Sequence, residues 1–230
     1  YYLPFMIDST TCEHRTDCKS YSERVDFVSL GNFLHPPNLD LVRYLKKDIW
    51  PLIRIALPET KLHVYGAYDP SSIKEMHNEQ EGFLIHGYVE DAFEVLNTAK
   101  VLLAPLRFGA GLKGKLIQAM QTGTPCAMSS VSAEGMFGTM KSNGVIEDTV
   151  DGFVAHAIDL YSNTSEWEAS HKQGFSVLKN RFEKNIHLTN FMARLRVLQD
   201  TLETHRSHNF IGQMLSHHQL QSTKYMARWI

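Results

Sequence analysis

Five short apolar runs, each ending at a glycine or a polar turn, recur between residues 25 and 130 with helix-like stretches between them. The runs are "VDFVSLG" (25–31), "KLHVYGA" (61–67), "FLIHGY" (83–88), "KVLLAPL" (100–106) and "TPCAMSS" (124–130). Runs this short, apolar on consecutive positions, read as strands buried on both faces. The intervening segments carry the helical period. Leu41, Leu45 and Ile49 recur every fourth residue, with Val42 and Ile53 widening the stripe. Pro51 is expected to break that helix or to start a second short one. Asp69 or Ser71 is expected to cap a helix after the second strand. "EDAFEVLNTA" (90–99) reads as a helix, and "GKLIQAMQTG" (114–123) as another, closed by Gly123. Strand and helix alternating at this rhythm predict an α/β fold: a Rossmann-like parallel sheet with helices on both faces.

In such sheets ligands bind at the carboxyl ends of the strands. The residues expected there are Gly31 and Asn32, Gly66 and Ala67, His86, Gly87 and Tyr88, then Arg107–Gly111 and Ser129–Gly135. Glycine at those places lets backbone approach a ligand closely. One crevice lined by these turns is the expected site. Beyond about residue 150 the pattern turns mostly helical, with Phe191, Leu195, Leu198 and Leu202 in helical spacing, and "GVIED" (144–148) is a weak sixth strand candidate.

The turn after the fourth run, "FGAGLKGKL" (108–116), has most of a phosphate-binding loop. Gly109, Gly114 and Lys115 fall on G-x-x-x-x-G-K, but Leu116 stands where Ser or Thr would hold a metal ion. The stretch also follows the fourth strand rather than the first, and no G-x-G-x-x-G follows the first strand. Nucleotide hydrolysis and dinucleotide binding are therefore not expected. Exposed amides of a glycine turn beside a helix start still make an anion site. Lys113, Lys115 and Arg107 add positive charge suited to a diphosphate. The plain alternative is that these lysines are solvated surface. Basic residues at a helix start oppose its dipole, and that mismatch favours a bound anion.

Net charge −2 and the lack of any Lys- or Arg-rich run argue against a nucleic-acid partner. No apolar stretch approaches the roughly 20 residues of a membrane span. Three cysteines do not make a disulfide framework. Cys12, His14 and Cys18 match no common zinc spacing, and His205, His208, His217 and His218 lack completing ligands, so no metal site is expected. His86, in the expected crevice, reads as a packed histidine with a backbone partner rather than as an acid or base.

"VLLAPLRFGAGLKGKLIQAMQTGTPCAMSSVSAEGM" resembles the donor-binding half of GT-B glycosyltransferases of the glycosyl transferases group 1 type. "HGYVED" (86–91) resembles that group's base-reading loop, and "SLGNFLHPPNLD" (29–40) its first strand and glycine loop. The resemblance implies transfer of a sugar from a nucleotide-diphosphate sugar to a glycan or other hydroxyl acceptor, with no cofactor. It implies that Lys115, Lys113, Arg107, Gly109 and Gly111 bind the donor diphosphate, and that Gln118 reaches the ribose. Gln118 replaces the second glutamate of an E-x7-E motif, and Ala110 stands where the first would face the sugar. Glu134 is a candidate replacement carboxylate or a loop anchor. By the same resemblance, residues 1–24 are a linker or the end of a missing N-terminal acceptor domain, 25–184 the donor domain and 185–230 a helical extension. A cytoplasmic protein, with or without peripheral membrane contact, is the matching location. A catalytically degenerate nucleotide-sugar-binding or scaffold module, or a nucleotide-sugar epimerase of the same fold, are the alternatives.

Overall fold

The computed structural model describes residues 2–8 and 18–215. Six strands form one parallel sheet: β1 (Val25–Leu30), β2 (Leu62–Tyr65), β3 (Phe83–Gly87), β4 (Ala99–Ala104), β5 (Cys126–Met128) and β6 (Gly144–Ile146). Their order across the sheet is β3-β2-β1-β4-β5-β6. The order in which strands are added reverses between β1 and β4, so the crevice of a doubly wound sheet is due at their carboxyl ends. The weak candidate at 144–148 is a real edge strand. Gly144 makes this possible, because a Cβ there would run into the carbonyl oxygen of Cys126 on the neighbouring strand.

Adjacent strand residues face opposite sides, and both sides are covered. Phe27, Leu62, Val64, Phe83, Val101 and Leu103 pack in one buried cluster, whereas Val28, Leu30, Leu102 and Ala104 pack in the other. The first cluster takes its helical partners from α1 (Pro36–Tyr44), α2 (Trp50–Ala56) and α7 (Val150–Ser162). The second takes them from α4 (Ala92–Thr98), α5 (Gly114–Gln121) and α8 (Thr164–Val177). Two single-turn helices, α3 (Ser71–Lys74) and α6 (Ser130–Ala133), complete the connections.

The stripe Leu41–Leu45–Ile49–Ile53 is buried throughout. Four-residue spacing drifts about 40° per step around an α-helix of 3.6 residues per turn. A wider π-helical turn at Leu45–Ile49, with the Trp50 N–H bonded to the Leu45 carbonyl, takes up that drift. Pro51 then stands in the first turn of α2, where a missing donor costs little. The expected cap by Asp69 or Ser71 is not made. Pro70 occupies the N-cap of α3 without a side-chain bond, and the Asp69 carboxylate lies 3.8 Å from Lys74 Nζ instead. Asp91 does cap α4, accepting from the Phe93 amide at 2.8 Å.

Pro4–Lys184 forms one compact unit, and Tyr1–Leu3 with Asn185–Ile230 forms another. Within the first, Ile7 pairs with the chain near Glu183: its N–H donates to the Phe182 carbonyl at 2.7 Å, and its own carbonyl accepts from Lys184 at 2.8 Å. Residues 4–8 are thereby held on the sheet-bearing unit. The second unit carries α9 (Lys184–Asp200) and α10 (Leu202–His208), neither of which buries a side chain. Leu195 and Leu202 of the expected stripe are exposed there. Cys12, His14, His217 and His218 lie outside the described residues.

Candidate functional site

At the carboxyl ends of β1 and β2, beside the helix α5 that follows β4, lies a cavity of about 510 Å³. Its floor is the turns after β1 and β2. Gly66 has no room for a Cβ, which would strike the Gly31 carbonyl and the Phe33 ring, so these two turns meet backbone to backbone. One wall is α5, presenting Gly114, Lys115, Gln118 and Gln121. The opposite side is Tyr88 and Val89 after β3 with Ala92 and Phe93 of α4. Phe5 and Ile7 of the N-terminal segment close another side.

Lys115 is the charged group of this cavity. Its Nζ donates to Asn38 Oδ1 at 2.8 Å, and no carboxylate among the described residues pairs with it. Burial, reinforced by Lys113, pushes its pKa down to about 7. An amine lowered this far loses its charge more readily than an ordinary lysine, and any anion bound beside it restores that charge. The backbone amides of Gly114 and Lys115 open α5 with no side-chain cap. They are the unfilled donors that a helix start offers to an anion. Gln118 and Gln121, three residues apart on the same face, present uncharged amides. Leu116 is wholly buried in the core.

Of the residues expected at the site, Gly31, Asn32, Gly66, Ala67, Tyr88, Lys115 and Gln118 line the cavity. The others fall around it. Lys113 is nearly buried and turns back to the Gly111 carbonyl at 2.6 Å. Burial lowers its pKa, and nearby Glu134 partly offsets this. Glu134 itself is exposed after α6. Gly109 and Gly111 hold positive φ values of 139° and 76° that favour glycine, which explains both without requiring a ligand. Arg107 is drawn away from the crevice. Its guanidinium forms a two-point pair with Asp40, Nε to Oδ2 at 2.8 Å, and lies over the Tyr44 ring at 4.8 Å. His86 leaves the crevice as well. Its Nε2 lies 2.9 Å from His63 Nδ1, His63 Nε2 lies 3.1 Å from Asp26, and the His86 ring stacks on Tyr65. Burial and then the charges of His63 and His77 lower its pKa. Gly87 spends its carbonyl on the Gly66 amide at 2.7 Å.

Sequence reasoning missed Asn38, Tyr65, Phe93, Gln121, Phe5 and Ile7. Two of these left a trace: Gln121 follows Gln118 by three residues, and Asn38 is a poor helix former placed directly after two prolines. Among the described residues no cluster of His, Cys, Asp and Glu is fit to hold a metal ion, and no helix is long and apolar enough to cross a membrane.

Strand order 3-2-1-4-5-6 with a cationic crevice at the switch point defines a Rossmann-like domain of the kind that makes up half of a GT-B fold. The chain belongs to the glycosyl transferases group 1 family, which matches residues 24–163, more than half of its length. Solved structures agree on the fold. S. aureus TarM, a mutant in complex with Fondaparinux, alpha-GlcNAc-glycerol and UDP, superposes with TM-score 0.65 at 12% identity over 82% of this chain. Pneumococcal O-GlcNAc transferase GtfA, in complex with UDP and GlcNAc, gives 0.62 at 15% identity over 86%. A UDP-forming trehalose-phosphate synthase from Burkholderia xenovorans gives 0.61 at 10% identity over 84%. The chain spans 38% of each of the first two proteins and 51% of the third. No curated protein sequence matches it significantly.

Proposed function

We propose that this domain holds the nucleotide-diphosphate sugar of a glycosyl transfer reaction, with the diphosphate at Lys115 and the start of α5. The observation that carries this reading is Lys115: a cation in a crevice at the switch point, answered by one neutral amide oxygen and no carboxylate. An unpaired charge in that position is costly until an anion arrives. The presence of UDP in the TarM and GtfA structures supports a uridine nucleotide as the first donor to try.

The chemistry follows from the charge. As the bond between sugar and diphosphate breaks, negative charge grows on the leaving phosphate. Lys115, brought to its charged form by that anion, and the amides of Gly114 and Lys115 are fixed donors for it. Gln118, on the same face of α5 and in the lining of the same cavity, is the ribose contact in this reading. The acceptor hydroxyl and any general base come from an N-terminal domain, in keeping with the chain's 38–51% share of its structural neighbours. Glu134 and Lys113 lie at the edge of the glycine turn, where the sugar end of the donor is expected.

A second reading, binding without transfer, has its own support: Ala110 supplies no carboxylate, and Arg107 is engaged by Asp40. Both readings need the donor site. A thermal-shift panel of UDP-, GDP- and ADP-linked sugars tests it, since ligand at about 100 times Kd stabilises a fold by roughly 2.7 kcal/mol. Stabilisation by one nucleotide class, lost in Lys115→Ala, is the expected result. No response to any member of the panel would remove the donor site altogether.

A further inference from the structure

The side chain of Asn38 is gripped at both ends. Its Oδ1 accepts from Lys115 Nζ at 2.8 Å, and its Nδ2 donates to the Asn32 carbonyl at 2.8 Å. Its carbon atoms press on the turn after β1 so closely that a Cβ on Gly31 would come within 2.7 Å of Cγ. The backbone around it is equally set: Pro36 and Pro37 precede it in α1, and its own N–H donates to the His35 carbonyl at 3.0 Å. One amide thus links the turn after β1 to a lysine on α5, 77 residues further along the chain.

We propose that Asn38 is a positioning residue. It fixes the Lys115 ammonium against the glycine turn and, being neutral, gives way to an anionic oxygen of the ligand. The inference rests on the proposed reading of Lys115 as the diphosphate contact and adds what aims it. Only a carboxamide does both tasks, because it accepts on one side and donates on the other. Aspartate would accept from Lys115 but has no donor for the Asn32 carbonyl. It would also neutralise the cation, so an incoming anion would have to displace an ion pair. The charged groups around the ammonium leave this role to Asn38. Lys113, on the same helix, is the charge that acts on it. Glu134 acts on Lys113, and Asp40 of α1 is taken by Arg107. The cavity lining from β1, β2, β3 and α4 is uncharged.

The test uses the full chain in three forms: unchanged, Asn38→Asp and Asn38→Ala, each checked for an unchanged melting profile. NMR of isotope-labelled lysine, with Lys115→Arg assigning the resonance, follows the Lys115 amine through pH without any ligand. An opposite charge at this distance raises an amine's midpoint by about 1–3 units, so Asn38→Asp is expected to move it well above its value in the unchanged chain. Calorimetry with UDP-glucose then reads the ligand side. Asn38→Ala weakens binding about tenfold, as loss of a bond that aims a charged donor does, and Asn38→Asp weakens it further. In Asn38→Asp the affinity also ceases to depend on pH between 7 and 8.5. An unmoved Lys115 midpoint in Asn38→Asp overturns the proposal, as do equal affinities in all three forms. If the midpoint moves while the unchanged chain binds no nucleotide sugar, the tie between Asn38 and Lys115 stands and the donor reading of the crevice falls.

Discussion

Arg24 and Lys115 are two cations, one fully and one partly buried, at opposite ends of the same strands, and they are treated differently. Arg24 precedes β1, at the amino ends of β1, β4 and β5, and is 1% exposed. Its guanidinium donates to the carbonyls of Lys19, Leu96, Ala99 and Thr122, to Thr124 Oγ1 and to Asn97 Oδ1. It lies over the Trp167 ring at 5.2 Å. Burial lowers its pKa to about 10, which still leaves it charged at neutral pH. Lys115, at the carboxyl ends, has one amide oxygen and a pKa near 7. Neither has a carboxylate partner among the described residues. What separates them is the number of neutral acceptors. A buried cation whose donors are all used is finished structure, and one with donors to spare is a site awaiting an anion.

The largest effect should come from the finished one. Arg24→Ala strands carbonyls at the base of three strands and empties the space beside Trp167. It is expected to cost on the order of 3–5 kcal/mol, read by urea denaturation. Arg24→Lys should recover only part of that, since an ammonium cannot reach all of those acceptors. A loss below 1 kcal/mol would show that the network is incidental.

Lys115→Met is the opposite case. It removes a poorly satisfied charge, so the melting temperature should hold or rise, while nucleotide-sugar affinity falls on the order of 100-fold by calorimetry. Unfolding of this variant would erase the distinction between the two cations. The pH response sharpens the same contrast. Lys115 has its folded pKa below its unfolded one, so between about pH 7 and 10 the unfolded chain holds the extra proton, and stability rises with pH across that window. Donor affinity should fall over the lower part of the window, as the amine loses its charge. Thermal melts and titrations between pH 7 and 8.5 should show both trends; Lys115→Met should lose the affinity trend and weaken the stability trend, leaving the share of Lys113, whose pKa burial also lowers. His86 and His171 also have lowered values, but their windows lie below the ordinary histidine value of 6.5.

The sheet was legible because its signals are local. Each of β1 to β5 is an apolar run ending near a glycine or polar turn, and the switch point follows from their alternation with helices. The site was legible only in part, for a reason visible in Arg107. Its position just before the glycine turn suggests a phosphate contact, yet Asp40, 67 residues earlier, claims it. Asn38 is hidden for the converse reason. Its spacing marks a helix start, and its partner is supplied by the packing of α1 beside α5. Phe5 and Ile7 enter the cavity wall through pairing near Glu183, which no window of neighbouring residues contains. Residues whose role is set by backbone turns can be read along the chain. Those whose role is set by a distant partner cannot.

Gln118 offers the smallest and most discriminating change. It lines the crevice one turn beyond Lys115, and no hydrogen bond from its side chain to another described residue is formed. In the related sequences that this stretch resembles, the position carries a carboxylate. Gln118→Glu places a stronger acceptor where a ribose hydroxyl is expected, and a hydrogen bond to a charged group gains about 1 kcal/mol over a neutral one. Against this, the new charge sits near a diphosphate and near Lys115, whose pKa it would raise. Loss of pH sensitivity should therefore accompany a few-fold gain in affinity for the nucleotide sugar. For inorganic pyrophosphate, which has no ribose, the change should be neutral or unfavourable. Equal changes for both ligands would mean that Gln118 acts through Lys115 alone and that the ribose lies elsewhere in the cavity.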